Sequence, residues 1–135
     1  MPDQAQTNLI AAKSFVTAVE RMDGSVLDAF FSSDVKQIEW PNLFKPNGEE
    51  RDLPKLKTDI EKARGILREQ RYEITRELAD GDCVMLEMIW RGTMEIDFPP
   101  LTKDQNLQAH CVAIFDFENG KVTGLRNYDC FDPFA

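Results

Sequence analysis

A single carboxylate, Glu39, stands in the short apolar stretch Val35 to Pro41, between helix-like and strand-like sequence. If its side chain points inward, it lies at the floor of a cavity lined by Phe, Met and Trp. Burial without a cationic partner disfavours the ionised form of a carboxylate and raises its pKa toward neutrality. Such a group takes and returns a proton near pH 7, which is general acid–base chemistry. The alternative is that Glu39 points to solvent from an edge strand, as most Glu side chains do.

Two helices are expected before the Glu39 strand. Residues Asn8 to Met22 carry apolar side chains three and four apart, and Asp23-Gly24 ends this amphipathic helix. Ser25, with Asp28 three residues later, predicts the start of a second, short helix. That helix ends at Ser32-Ser33-Asp34, so the strand carrying Glu39 follows directly.

A long third helix is expected after the strand. Pro41, Pro46 and Asn47-Gly48 predict a loop, and Asp52 is a suitable N-cap with Pro54 in the first turn. The apolar stripe of this helix has spacings of three and four: Leu53, Leu56, Ile60, Ala63 and Leu67.

From Arg71 onward the apolar period changes to two, which predicts strands. Four strands are expected, the first over Tyr72 to Leu78 and the last over Val122 to Phe131. The order of elements is helix, helix, strand, long helix and antiparallel meander. This predicts one α+β domain over residues 1–135, with three N-terminal helices packed on one face of a curved sheet.

Alternation also predicts which strand residues face the helices. We expect the inward set to supply the walls of a small-molecule site, which is typically apolar with a few polar groups. Its candidates for substrate contact are Phe15, Gln37, Leu86, Met88, Trp90, Cys111, Leu125 and Asp129. Asn127 is a neutral donor that could polarise a carbonyl, so Glu39 and Asn127 are the candidate catalytic residues.

The last hairpin decides the role of His110, the single histidine. A two-residue Asn119-Gly120 turn places His110 opposite Asp129, as an acid–base pair. A three-residue turn with a bulge places His110 opposite Tyr128 and Cys111 opposite Asn127. The residues alone leave both registers open. The second turns His110 to the outer face, and a slip of one residue reverses every face.

Composition limits the possible partners. The 135 residues carry a formal net charge of -8 without a Lys/Arg cluster, so nucleic acid and anionic membranes are poor partners. The N-terminal residues are polar and lack a signal-peptide pattern, and no apolar run could cross a bilayer. The three cysteines have no metal-site spacing. We expect a reduced, cytoplasmic protein without metal or cofactor.

The order and spacing of several segments resemble the nuclear-transport-factor-2-like superfamily, which includes ketosteroid isomerases, SnoaL-like polyketide cyclases and limonene epoxide hydrolases. The segments are Phe30 to Val35, Leu86 to Gly92, Phe98-Pro99-Pro100, and Phe115 to Val122 leading to Tyr128-Asp129. The resemblance spans roughly Asn8 to Phe134. It implies a cone-shaped fold whose outer sheet face forms a homodimer. It also favours the second hairpin register, which turns His110 to that outer face.

Carried over by position, the resemblance places Glu39 where ketosteroid isomerases have their catalytic base. The tyrosine and aspartic acid that hold the enolate oxygen in those enzymes are replaced by Phe15 and Cys111. The positions that carry the Arg and Asp residues of the epoxide hydrolases hold Met88, Trp90 and Asn127, so epoxide hydrolysis is not expected.

These features predict a cofactor-independent isomerase or cyclase that moves a proton next to the carbonyl of a small hydrophobic compound, such as a polyketide, terpenoid or steroid-like molecule. Two alternatives stay open on the same scaffold. One is a non-catalytic domain that binds small molecules. The other is a dimeric interaction module whose pocket is filled by core side chains.

Overall fold

The computed structural model describes residues 3–134. Their order is α1 (Gln4–Glu20), a 3-10 segment (Gly24–Ala29), β1 (Phe31–Glu39), β2 (Glu49–Arg51), α2 (Leu53–Lys62) and a 3-10 turn (Ala63–Gly65). Four long strands follow: β3 (Leu67–Asp80), β4 (Cys83–Met94), β5 (Asn106–Glu118) and β6 (Lys121–Phe131). No helix in these residues is long and apolar enough to cross a membrane.

The six strands form one mixed sheet in the order β2-β1-β6-β5-β4-β3. The pairs β3–β4, β4–β5 and β5–β6 are antiparallel, whereas β1 lies parallel to β6. The predicted α+β class is therefore confirmed. The core lies between the inner face of the sheet and the buried sides of α1 and α2, where Phe15 stacks against Phe31 and Phe115.

The predicted three helices are not all present as such. The middle one is a 3-10 segment whose N-cap is Asp23, not Ser25, because the Asp23 carboxylate accepts the Ser25 N–H at 2.9 Å. Strand β1 begins at Phe31, one residue before the stretch Ser32-Ser33-Asp34 that was predicted to end that helix. The Asp52 N-cap is confirmed, since its carboxylate accepts the Lys55 N–H at 3.0 Å.

The last predicted helix is shorter than its apolar stripe suggested. Helix α2 ends at Lys62, Ala63 opens the 3-10 turn, and Leu67 is the first residue of β3. Periodicity of three and four continues by coincidence into the strand. The stretch before α2 also holds β2, which pairs with the end of β1 where only a loop was expected.

A bulge sets the register between β5 and β6. The hairpin has the two-residue turn, because Glu118 pairs with Lys121. The register then shifts, since Phe117 pairs with Val122 but Asp116 pairs with Gly124, which leaves Thr123 as the extra residue. Beyond the bulge His110 pairs with Cys130, not with Tyr128 or Asp129.

The shift leaves the predicted faces intact while changing the partners. His110 is exposed on the outer face, as favoured, but Cys111 lies opposite Asp129 and Asn127 lies opposite Ala113. The predicted pairing of Cys111 with Asn127 is therefore wrong by two residues. That difference brings Asp129 into the middle of the inner face.

The outer face of the sheet carries several apolar side chains. Tyr128 and Trp40 are 40% and 41% exposed and lie side by side, with ring centroids 6.1 Å apart. Val112, Ile114 and Ile89 are half-buried on the same face. The expected homodimer through this face stays a prediction.

Candidate functional site

The interior contains two adjoining chambers between the sheet and the helices. The outer chamber has a volume of about 400 Å³ and the inner chamber about 210 Å³. Seven residues line both and mark the junction: Glu39, Arg51, Asp59, Ala63, Gln70, Tyr72 and Asp129. The interaction-module hypothesis required an interior that is filled by core side chains, and the two chambers are not filled in this way.

Asp129 differs from the other two carboxylates of this junction, Glu39 and Asp59, which both pair with Arg51. Strand β1 ends at Glu39, which pairs with Asn127 of β6. Asp129 is the next inward residue of β6, two residues after Asn127, and so lies beyond the end of β1. Its carboxylate forms no ion pair with the described residues. Burial raises the pKa of Asp129 to about 6, the Cys111 thiol lowers it, the Glu39 charge raises it, and Arg51 lowers it. A carboxyl group with this pKa can both accept and return a proton near neutrality.

Tyr72 provides a second polar group at the junction. It lies on β3 opposite Trp90, in the row next to the one that holds Met88, Cys111 and Asp129. Burial raises the pKa of Tyr72 well above its ordinary value, and the negative charges of Asp129 and Glu39 act in the same direction. The hydroxyl therefore stays a neutral hydrogen-bond donor over the physiological pH range.

Gln70 fixes the wall that Tyr72 belongs to. Its side-chain oxygen accepts the indole N–H of Trp90 at 2.8 Å, and its amide nitrogen donates to the Val19 carbonyl at 2.6 Å. One side chain thus joins β4 to the end of α1. A buried indole N–H requires a hydrogen-bond partner, and Gln70 provides it for Trp90 at the edge of the outer chamber.

Glu39 faces inward, but it is not the unpaired carboxylate that the sequence suggested. Arg51 Nη1 lies 3.0 Å from Glu39 Oε1, and Asn42 Nδ2 donates to Glu39 Oε2 at 2.8 Å. The Glu39 side chain is 14% exposed. Because a cation neutralises it, the premise of an isolated acid–base group at this position is wrong.

Arg51 is the centre of this polar cluster and is only 7% exposed. Its three nitrogens contact three carboxylates: Glu39, Glu49 at 2.8 Å and Asp59 at 2.7 Å. Burial opposes its charge, but the hydrogen bonds that Arg51 donates to Asp59 and Glu39 raise the pKa of Arg51 above its ordinary value. Charge-assisted contacts of this number fix the side chain beneath the junction.

The amides of Gln37 and Asn127 continue the cluster into the inner chamber. Arg51 Nη1 donates to Gln37 Oε1 at 3.0 Å, and Gln37 Nε2 donates to Asn127 Oδ1 at 2.8 Å. The Asn127 oxygen is therefore occupied. Its amide N–H groups remain the part that could meet a ligand in the inner chamber.

Cys111 faces Asp129 across the β5–β6 pair and lines the outer chamber. Burial, followed by the negative charge of Asp129, raises the pKa of the Cys111 thiol. It is consequently a protonated thiol, and not a nucleophile, beside the carboxylate.

The other predicted contact residues divide between the chambers. Phe15, Met88 and Leu125 line the inner chamber, and Trp90 lines the outer one. Leu86 lines neither chamber, because it is fully buried in the core between the sheet and α1. The roles assigned to these residues stay predictions.

His110 lies apart from the chambers. Its side chain is 61% exposed on the outer face, and its Nε2 is 3.7 Å from Asp132 Oδ1. The alternative that paired His110 with Asp129 as an acid–base couple is wrong, since the two side chains occupy opposite faces of the sheet.

Five of the seven junction residues were not predicted as site residues: Arg51, Asp59, Ala63, Gln70 and Tyr72. Tyr72 could have been found, because it alternates with Arg71 and Glu73 and so shares the inward face with Ile74. Arg51 carried no such signal. It sits in the charged run Glu49 to Asp52, which is typical of a solvated loop, and only its pairing with β1 turns it inward.

The ion pair leads to a stability prediction for Glu39→Gln. We expect this variant to be about 1–2 kcal/mol less stable than wild type at pH 7, because a buried charge-assisted contact to Arg51 is lost. Urea unfolding measures the difference. Glu50→Gln is the control. Glu50 lies in β2 opposite Ile38, the neighbour of Glu39, but its contact with Lys36 is exposed, so the variant should change stability by less than about 0.5 kcal/mol. A gain in stability for Glu39→Gln would contradict the structural role.

Comparisons with solved structures show the same fold in several bacterial proteins. An NTF2-like protein from Burkholderia xenovorans LB400 is 21% identical, with a TM-score of 0.72, covering 93% of this chain and 90% of its own. An epoxide hydrolase of M. tuberculosis, described as LEH-like, is 21% identical with a TM-score of 0.70, covering 96% and 86%. A SnoaL-like polyketide cyclase from Agrobacterium tumefaciens strain C58 is 15% identical with a TM-score of 0.67, covering 96% and 92%.

Sequence comparison gives a family but no characterised relative. No curated protein matches the chain. The model of the SnoaL-like domain matches residues 12–125, which include the second half of α1, the whole of β5 and the first half of β6. The chain therefore belongs to the SnoaL-like domain family.

Proposed function

We propose that the protein catalyses proton transfer next to the carbonyl of a small hydrophobic compound, giving isomerisation or ring closure without a cofactor. The observation that carries this proposal is that Asp129, with a pKa raised to about 6, and Tyr72 both line the junction of the two chambers. The polyketide cyclase among the structural neighbours supports this class of substrate.

In the proposed reaction the Asp129 carboxylate removes a proton from the carbon next to the carbonyl. The electrons of that C–H bond form the new carbon–carbon double bond, and the carbonyl oxygen becomes an enolate oxygen. The Tyr72 hydroxyl donates a hydrogen bond to this oxygen, where negative charge develops. Where a further carbon–carbon double bond of the substrate is conjugated with the enolate, the protonated Asp129 returns its proton to the far carbon of that system, the double bond shifts, and an isomerisation is complete. In a ring closure the enolate carbon attacks a second carbonyl, and Asp129 protonates the resulting alkoxide.

Glu39 and Arg51 take supporting roles in this proposal. The Glu39 charge raises the pKa of Asp129 and the Arg51 charge lowers it, so the pair adjusts the acid–base group without itself reacting. Asn127 supplies amide N–H groups to the inner chamber. Epoxide hydrolysis is not proposed, because Met88 and Trp90 cannot replace an Arg and an Asp.

The test is deuterium exchange at the α-carbon of enolisable ketones in D₂O, followed by NMR, for a panel that includes acetophenone and valerophenone. We expect exchange above the buffer rate with wild type. Asp129→Asn should slow it by about 10²–10⁴-fold, and Tyr72→Phe by about 10²–10³-fold. Asp132→Asn is the control, because Asp132 lies three residues away and outside both chambers. Equal rates for Asp129→Asn and wild type would refute the proposal.

The pH profile provides a second readout in the same experiment. The reactive form of Asp129 is the carboxylate, so kcat/KM should be constant above about pH 6 and fall tenfold per pH unit well below it. Binding of ketones without any exchange would instead favour the non-catalytic binding domain.

A further inference from the structure

The two chambers differ in the chemistry of their walls. Most of the inner lining is apolar and comes from both helices and the sheet: Phe15, Val16, Val19, Leu56, Ile60, Met88, Phe115 and Leu125. The outer chamber has an aromatic wall that includes Phe44, Trp90 and Phe131, and lysines also line it. Lys62 forms no ion pair with residues 3–134, so the outer chamber can accept a polar group at its edge.

The volume of the inner chamber limits what can enter it. An apolar cavity of about 150 Å³ is known to take up benzene. At about 210 Å³, the inner chamber has room for one six-membered ring and little more. The outer chamber is about twice as large, so the bulk of a larger ligand has to lie there.

We propose that the ligand is bipartite: a single ring or short branched apolar end occupies the inner chamber, its carbonyl lies at the Asp129–Tyr72 junction, and the larger remainder extends outward past Trp90 and Phe131. This inference rests on the proposed function only for the position of the carbonyl. The division of the ligand between the chambers follows from their volumes and walls.

The orientation can be tested on wild-type protein with two isomeric ketones. In para-propylacetophenone the propyl group extends the ring at the end that points into the inner chamber. In valerophenone the same carbons lie on the other side of the carbonyl, toward the outer chamber. Because the isomers have the same composition, the free energies of transferring them from water to an apolar environment are similar. We expect para-propylacetophenone to bind at least tenfold more weakly than valerophenone, since one methylene too many or too few in an apolar pocket already changes discrimination about 10–200-fold. The reverse order, or equal dissociation constants, would overturn the inference.

A matched pair of variants locates the ring independently. Ala113 and Ala109 lie on the inward face of β5 and are 2% and 0% exposed, but Ala113 lines only the inner chamber and Ala109 only the outer one. We expect Ala113→Leu to weaken acetophenone binding at least tenfold, and Ala109→Leu by less than threefold. Stronger weakening by Ala109→Leu would overturn the assignment.

Overpacking also destabilises a core, so thermal unfolding of each variant is measured with the titration. Ala113→Val adds less volume than Ala113→Leu and should weaken binding by a smaller factor.

The readouts separate the two proposals. Selective loss of binding in the Ala113 variants, without α-proton exchange in wild type, supports the bipartite ligand and refutes the proton-transfer function. Exchange with the opposite variant order supports the function and refutes the bipartite ligand.

Discussion

Replacing Arg51 with Met is expected to destabilise the protein by about 3–5 kcal/mol at pH 7, because removal of one partner leaves buried charges uncompensated. The Arg51 side chain is 7% exposed and contacts Glu39, Glu49 and Asp59. Lys45 and Lys55 remain near Glu49 and Asp59. Glu39 keeps only the neutral Asn42 amide. The loss is therefore concentrated at the carboxylate beneath the junction.

Urea unfolding of Arg51→Met and of a surface control measures this effect. Arg91→Met is the control, because the Arg91–Glu73 pair at 3.1 Å is about half exposed and should contribute less than about 1 kcal/mol. A destabilisation of Arg51→Met no larger than that of Arg91→Met would show that the cluster does not hold the fold together.

The pH dependence of the Arg51→Met effect has a definite sign. Arg51 is among the charges that lower the pKa of Asp59 and Glu49 in the folded protein. Carboxylates with lowered pKa values stabilise the fold above their unfolded values, and this stabilisation is lost as pH falls through the folded ones. Wild type should therefore lose stability below about pH 4 more steeply than Arg51→Met, so the gap between them narrows in acid.

Replacing Asp129 with Asn is expected to act in the opposite direction on stability. The pKa of Asp129 rises from 3.8 to about 6 on folding, so the folded chain binds more protons than the unfolded chain between these values. A raised pKa stabilises the fold below pH 3.8, and this contribution disappears as the pH rises to about 6. A shift of this size corresponds to about 3 kcal/mol. An Asn side chain does not ionise, so Asp129→Asn does not lose this stability as the pH rises. Above pH 6 the variant should therefore be more stable than wild type by up to about 3 kcal/mol.

Unfolding free energies of both proteins between pH 4 and pH 7 test this prediction. The groups that face Asp129 are Glu39, Arg51, Cys111 and Tyr72, and all are present in both proteins, so the difference between the two curves isolates Asp129. We expect the difference to grow with pH and to level off above about pH 6. A difference that is independent of pH would mean that Asp129 ionises normally. A more stable but inactive variant is the pattern expected of a group retained for function.

The sequence alone determined the class of the fold and the faces of its strands. Periods of 3.6 and two are local properties, so the inward positions of Gln37, Met88 and Asn127 could be predicted before any pairing was known. The outward position of His110 was predicted from a register that proved wrong. The predicted face was still correct, because the register was wrong by two residues and a shift of two keeps each side chain on the same face.

Only the tertiary structure decided which group is the candidate acid or base. The bulge at Thr123 places Asp129 opposite Cys111, and a three-residue strand turns Arg51 onto Glu39. Both are non-local events that leave no periodic trace in the chain. A carboxylate's pKa depends on the charges and the water around it, and sequence spacing does not specify these. Glu39 and Asp129 are both inward carboxylates, but their surroundings differ. The Arg51 guanidinium lies 3.0 Å from Glu39, whereas Asp129 forms no ion pair within residues 3–134 and burial raises its pKa.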